Sequence, residues 1–267
     1  MKVYISLFKM KLISALQYRA AALAGICTQL FFGFVFIMVY ITFYESNDTT
    51  YPMQVNQLVN YLWLNQAFFA LVFIWAKDKD FLSMIKNGNV AYELCRPINF
   101  YSKWYITMYA TRIANVTLRF LPVILIAFLL PRPYNMTLPP NFMTFIVFII
   151  SLIISSILVT SITMLYHLIT FFTLDEKGII SFLMVFGEIF SGGTVPIAFF
   201  PKFMQVVAKL LPFQYICDLP FRIYSGNILL NESIFALMGG LIWSVIIIFL
   251  GYLLSRKALR SASVQGG

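Results

Sequence analysis

Six long, almost uncharged apolar runs constrain this chain more than any other feature: Ala20–Tyr44, Leu58–Ala76, Ile106–Leu130, Phe142–His167, Ile179–Val195 with an irregular extension, and Ile234–Leu254. A helix of about 20 apolar residues is long enough to cross the ~30 Å hydrocarbon core of a bilayer. The runs are continuous rather than alternating, which favours helices over the strands of a barrel. Only 11% of the residues are charged, against about 25% in a soluble domain. The expected fold is an all-α polytopic membrane protein with six transmembrane helices.

A net charge of +9 could point to nucleic acid, but its placement does not. Of 19 lysines and arginines, 13 fall in the N-terminal segment, the second-to-third loop (Lys77, Lys79, Lys86, Arg96, Lys103), Lys177 and the C-terminal segment. The opposite side holds Arg132, Lys202, Lys209 and Arg222. By the positive-inside rule both termini and the 77–104 loop are expected in the cytoplasm, with anionic lipid headgroups as partners and no nucleic acid. Cys27, Cys95 and Cys217 fall in a span, a cytoplasmic loop and an external segment, so free thiols are expected. The first residues lack the short apolar core and small-residue cleavage site of a signal peptide.

Along the chain the economical reading is one transmembrane domain over 1–267. Residues 1–19 read as an interfacial helix, with Ile5, Phe8, Leu12 and Leu16 on one side and Lys2, Ser6 and Lys9 on the other. It is either a plain anchor or a helix that relays movement to the spans. Residues 191–231 carry Pro196, Pro201, Pro212 and Pro220 between short apolar pieces. Proline disfavours continuous helix, so a broken, partly re-entrant external hairpin is expected before the last span.

Little in the chain resembles catalytic machinery. Its one histidine, His167, ends the fourth run and reads as an interfacial residue; no metal site is expected. No GxSxG elbow or carboxylate cluster supports a membrane enzyme. Gly187–Thr194, GEIFSGGT, has the spacing of a phosphate-binding loop, but Gly193 replaces the lysine and the stretch lies in an apolar run. The chain is therefore not expected to hydrolyse ATP.

Intramembrane charges mark pairing or function. Glu188 lies within the fifth run, while Arg112, Asn115 and Arg119 fall on one face of the third. Arg112 either snorkels to the inner headgroups or joins Asn115, Arg119 and Glu188 in intramembrane pairing or the translocation path. Arg119 and Glu188 are expected to pair or to line a polar cavity. Asn60, Asn65 and Gln66 serve either helix packing or substrate contact.

The polar insert Ile85–Trp104, IKNGNVAYELCRPINFYSKW, breaks this pattern. Gly88 can break the helix leaving span two, and Pro97 can set the restart into the next segment. Tyr92, Glu93, Leu94 and Arg96 between them offer an aromatic ring, an apolar residue and both charge signs, suited to docking. The series Ile85, Asn87, Gly88, Val90, Tyr92, Leu94, Arg96, Pro97, Ile98, Asn99 matches a pattern INxGxVxYxLxRPIN with Lys86 intervening. With the closing Ser263–Gly267 and the six-run layout, it resembles the permease subunits of type-2 ABC exporters, the viologen-exporter-like branch in particular.

That resemblance implies that the 77–104 loop forms a coupling helix, inserted into a groove of a separate ATPase subunit that binds the ATP and magnesium. No cofactor is expected on this chain itself. It implies two ATPases and a second permease, commonly a different chain, in the inner membrane of a bacterial cell. Asp175 and Glu176 are a candidate second coupling contact, and Gly192, Gly193, Pro196 and Pro201 belong to an external gate. The implied activity is ATP-driven export of an amphiphilic or drug-like substrate by alternating access, as part of a multidrug-type transporter. An ATPase-independent channel or secondary carrier is the alternative. The 28 phenylalanines suit stacking on guests and lipid contact equally, and select no substrate.

Overall fold

The computed structural model describes residues 2–17, 19–46, 51–95, 97–173 and 178–261. Among them every regular element is helical. The helices are α1 (Lys2–Leu16), α2 (Arg19–Ser46), α3 (Val55–Ala67), α4 (Phe69–Val72), α5 (Lys79–Lys86), α6 (Val90–Leu94), α7 (Phe100–Leu129), α8 (Phe142–Thr173), α9 (Ile179–Ser191), α10 (Lys202–Leu210), α11 (Asp218–Tyr224) and α12 (Leu230–Ser261).

Four helices are long and apolar enough to cross a membrane, over Ala20–Ser46, Phe100–Leu129, Phe142–Thr173 and Leu230–Arg260. The other two expected spans differ. The second is cut at Phe68 into α3 and α4, and α4 stops at Val72. The fifth, α9, has 13 residues, about 20 Å of helix. α9 ends where the chain turns at Gly192–Gly193, while α4 ends at Val72 with Phe73 already extended, ahead of the polar Lys77–Asp80.

Helix α8 is the packing centre, with α12, α11 and α7 laid against it. Its buried face is built of small hydroxyl residues, including Ser151, Ser155, Thr160 and Ser161. Small side chains let helices approach closely, and their hydroxyls bond backward to their own helix or across to neighbours. Ser155 Oγ donates to the Ile216 carbonyl at 2.6 Å, and the Tyr105 hydroxyl donates to the Ile157 carbonyl at 2.9 Å. The outward apolar residues, such as Phe31, Val35 and Met38 of α2 and Phe235, Val245 and Phe249 of α12, leave the faces a lipid solvent requires.

Two expectations shift in register. Helix α1 packs against α7, but its half-buried stripe is Tyr4, Leu7, Phe8, Lys11 and Leu12, and Ile5 is 63% exposed. The helix is apolar on both sides, so periodicity alone leaves its rotation open. The prolines of 191–231 mostly begin pieces rather than end them. Pro196 precedes a 3₁₀ turn at Ile197–Phe199, Pro201 is the N-cap of α10, and Pro212 opens a second 3₁₀ turn. Pro220 lies in the first turn of α11, where its missing N–H costs nothing.

Candidate functional site

The polar insert folds as two short, separately capped helices. The Asp78 carboxylate accepts the Phe81 N–H at 3.0 Å and so caps the start of α5. At the other end Gly88 takes φ 66°, its N–H bonds the Ile85 carbonyl, and the Asn89 N–H bonds the Met84 carbonyl at 3.0 Å. This is the paired C-terminal cap that a left-handed glycine permits. Gly88 therefore ends α5, while the helix of span two has already stopped at Val72. Two residues after Pro97, the Asn99 side chain accepts the Ser102 N–H at 3.0 Å and starts α7.

Beneath α5 and α6 lies an aromatic core that sequence reading passed over. Phe81 is fully buried, with its ring 5.0 Å from Trp104, 5.6 Å from His167 and 5.9 Å from Phe100. Met84, Val90, Tyr101, Met108, Met164 and Leu168 complete it. On this base the outward side of the segment carries Asn87, Gly88, Asn89, Tyr92, Cys95 and Pro97, and Tyr92 is 74% exposed. Glu93 behaves differently from its expected role. It is shielded and ion-paired with Lys103, whose Nζ also lies 5.0 Å from the centroid of the Trp104 ring. The pair ties α6 to α7. Asp80 reaches Lys11 of α1 at 3.5 Å, an exposed pair of small energetic weight. Arg96, Asp175 and Glu176 lie outside the described residues, as do the Leu94 side chain and the closing Ser263–Gly267 motif.

The intramembrane charges gather at the bend that leads into this segment. Where α4 stops, its last carbonyls lose their helical partners. Arg112 is buried and supplies donors, with NH1 to the Leu71 carbonyl at 3.1 Å and the Phe73 carbonyl at 2.7 Å. Its NH2 donates to Thr163 Oγ1 at 2.6 Å. The side chain thus points into the bundle rather than to headgroups. The Glu188 carboxylate of α9 lies against the Ile74 backbone N–H in the same bend. Glu188 is not joined to Arg119 by an ion pair among the described residues.

Arg119 goes instead to α2, where its guanidinium lies flat over Gly25, and Asn115 between the two arginines is half-exposed. Gln29, one turn further along α2, is buried. A Cβ at Gly25 would stand 2.7 Å from Arg119 Cζ. We expect Gly25→Val to destabilise the chain by about 1–3 kcal/mol through overpacking. Adding Arg119→Ala should recover most of that loss in the thermal midpoint of detergent-purified protein.

At the far end of α9 the chain turns on Gly192, in the left-handed region at φ 81°. The Tyr61 hydroxyl donates to the Gly192 carbonyl at 2.8 Å, and Asn65 Nδ2 donates to the Gly193 carbonyl at 2.5 Å. Asp218, 3% exposed, accepts the Ile197 N–H at 2.9 Å and Arg222 NH1 at 3.2 Å. Burial pushes its carboxyl above the usual range, while Arg222, the Ile197 N–H and Tyr61 pull the other way. Asn60 bonds Thr137 reciprocally, both contacts at 2.8 Å. Asn60 and Asn65 thus serve helix and loop packing. A cleft of about 510 Å³ opens beside this knot, lined by Gln205, Lys209, Asp218, Arg222 and Glu232 among others. Pro196 and Pro201 frame the 3₁₀ turn that begins at Ile197. No group of three His, Cys, Asp or Glu that could hold a metal is gathered among the described residues.

Long apolar helices, with an interior arginine bound to backbone carbonyls, define a multi-pass membrane protein that carries a separately capped polar segment. The family model described as "ABC-2 family transporter protein" matches residues 30–266, and the chain belongs to that family. It is the membrane component of an ABC transporter, a permease rather than an ATPase domain, and membership implies association with an ABC ATPase subunit. No curated protein matches the chain.

Proposed function

We propose that this permease is the transmembrane subunit of an ATP-driven exporter, with α5 and α6 as the element that enters a groove of the ATPase. The observation that carries this reading is the exposed Tyr92 rim on a fully buried Phe81 base: a projection both accessible and stiff. A load applied to α5 and α6 is then passed to α7 and α8 through packed aromatic rings.

In the proposed assembly two ATPases serve two permeases, the second a different chain, in the inner membrane of a bacterial cell. Both termini and the 77–104 segment are cytoplasmic, and α3–α4 and α9 complete six crossings. The segment 191–231 is the external hairpin, with Gly192, Gly193, Pro196 and Pro201 at the outer gate. ATP-driven closure of the ATPases moves the coupling helices, and rigid-body motion of the spans opens an outward path for an amphiphilic, drug-like substrate. The resemblance to the viologen-exporter-like branch supports the heteromeric arrangement.

The test is Tyr92→Ala in the complex purified with its ATPase and reconstituted in vesicles. At matched expression the variant should lose at least tenfold in ATP-dependent movement of amphiphilic dyes, cationic or anionic, while insertion is unchanged. Undiminished transport, or dye flux through the isolated chain without any ATPase, would sink the reading in favour of a channel or carrier.

A further inference from the structure

The bend between α4 and α5 is held by hydrogen bonds from two separate helices, α7 and α8, and His167 is its least expected holder. Both ring nitrogens of His167 are committed. Nδ1 lies 2.7 Å from the Thr163 carbonyl, which can only accept, and Nε2 lies 2.9 Å from the Asp78 N–H, which can only donate. The imidazole is therefore neutral with its proton on Nδ1.

Asp78 is the residue that caps α5. Thr163, one turn before His167, receives Arg112 NH2 on its hydroxyl, and Arg112 NH1 takes the Leu71 and Phe73 carbonyls. Glu188 meets the Ile74 N–H between them. The backbone from Leu71 to Asp78 is thus fastened at its start by α7 and at its end by α8. An unfastened bend of this length would let α5 swing while the spans stayed still.

We propose that His167 is a positioning residue that locks the α5 cap to α8, so that α5 and the bundle move as one body. The proposal rests on the reading of α5 and α6 as the ATPase-docking element, and extends it to the transmission of movement. His167 touches no substrate in this account. It acts through Asp78, and what it supplies is a single acceptor, Nε2, aimed out of α8 at a backbone N–H that begins another helix. Phe81 packs edge-on against the same ring, so the hydrogen bond is shielded from water.

The test compares His167→Phe with His167→Gln in the full chain in lipid nanodiscs. Phenylalanine keeps the ring and its packing on Phe81 but has no acceptor; glutamine offers an amide oxygen near the place of Nε2. Amide hydrogen exchange of Asp78, Phe81 and Leu82 should accelerate at least tenfold in His167→Phe and stay within about threefold of wild type in His167→Gln. Amides of α8 should be unaffected in both. Equal exchange in His167→Phe and wild type, or equal acceleration in the two variants, overturns the lock.

A second arm adds the ATPase trapped with ATP and vanadate. Trapping should alter exchange of the α4 amides in wild type and His167→Gln at least threefold more than in His167→Phe, while the α7 response, carried by the aromatic core, persists in all three. An α4 response in His167→Phe matching wild type overturns the role in transmission. Failure of the docking reading itself has a different signature: no ATPase is retained by any version of the chain, wild type included, while the first arm still reports on the lock.

Discussion

Phe81→Ala should be among the most damaging single changes in this chain. The side chain is fully buried and meets Trp104, Phe100, His167 and Phe171 edge-on or tilted. Truncating a buried phenylalanine costs about 3–5 kcal/mol, through lost transfer energy and the cavity left behind. Here the loss falls on one element. α5 has eight residues, too few to hold helical structure without packing. The variant should insert normally, because the substituted residue lies outside the long apolar helices. Its α5 amides should nevertheless exchange freely, and its thermal midpoint in detergent should fall well below that of Phe81→Leu, which fills most of the space. A Phe81→Ala protein with wild-type midpoint and protected α5 amides would show that the segment does not rest on this core.

Asp218→Ala should be comparably severe at the other end of the molecule. It removes the acceptor for the Ile197 N–H and the counter-charge of Arg222, and leaves the Tyr61 hydroxyl with the Gly192 carbonyl alone. Removing one partner of a buried, hydrogen-bonded ion pair costs about 3–5 kcal/mol. The Arg222 side chain is 23% exposed, so the lower end of that range is expected after solvent screening. Asp218→Asn keeps an acceptor for Ile197 and loses only the charge, so it should cost about half as much by the usual gap between neutral and charge-assisted bonds. Thermal midpoints of the two variants check the order. Equal midpoints for Asn and Ala would mean that the Ile197 contact carries nothing and the charge everything.

The distribution of these residues explains what sequence could and could not disclose. The apolar runs, the proline-punctuated segment and the polar insert are local signals, and each corresponds to a distinct feature of the fold. Gly88 was legible as a helix end because a left-handed cap requires a residue type. What it ends was not legible, since the stop at Val72 and the new start at Lys79 fall inside one apolar-to-polar transition.

Arg112 shows how the fold separates two readings that sequence leaves open. Headgroups were the natural acceptors for an arginine near a helix end. The acceptors it uses, the Leu71 and Phe73 carbonyls, are free only because α4 stops at Val72. Asp218, Tyr61 and Gly192 meet across more than 130 residues of chain for the Tyr61–Gly192 bond, and no periodicity links them. His167 had a pattern that read as an interfacial helix end, and only the fold shows a backbone N–H waiting at Nε2.

The fold also sharpens the candidate site. Tyr92 and Glu93 are neighbours in sequence, yet one is exposed and the other is shielded against Lys103. A five-residue helix on an aromatic base divides them by rotation: α6 turns one side to solvent and the other to α7. Docking chemistry is therefore expected from Tyr92 and its rim, with Glu93 holding the platform in shape.

The most direct measurement is a photo-crosslinking residue placed at Tyr92 in cells that also produce the cognate ATPase, with a second placed at the exposed Phe203 of α10, proposed to be external, as the reference. The account predicts an ATPase adduct from position 92 and none from 203. An absent adduct at 92, or equal adducts from both positions, would contradict it.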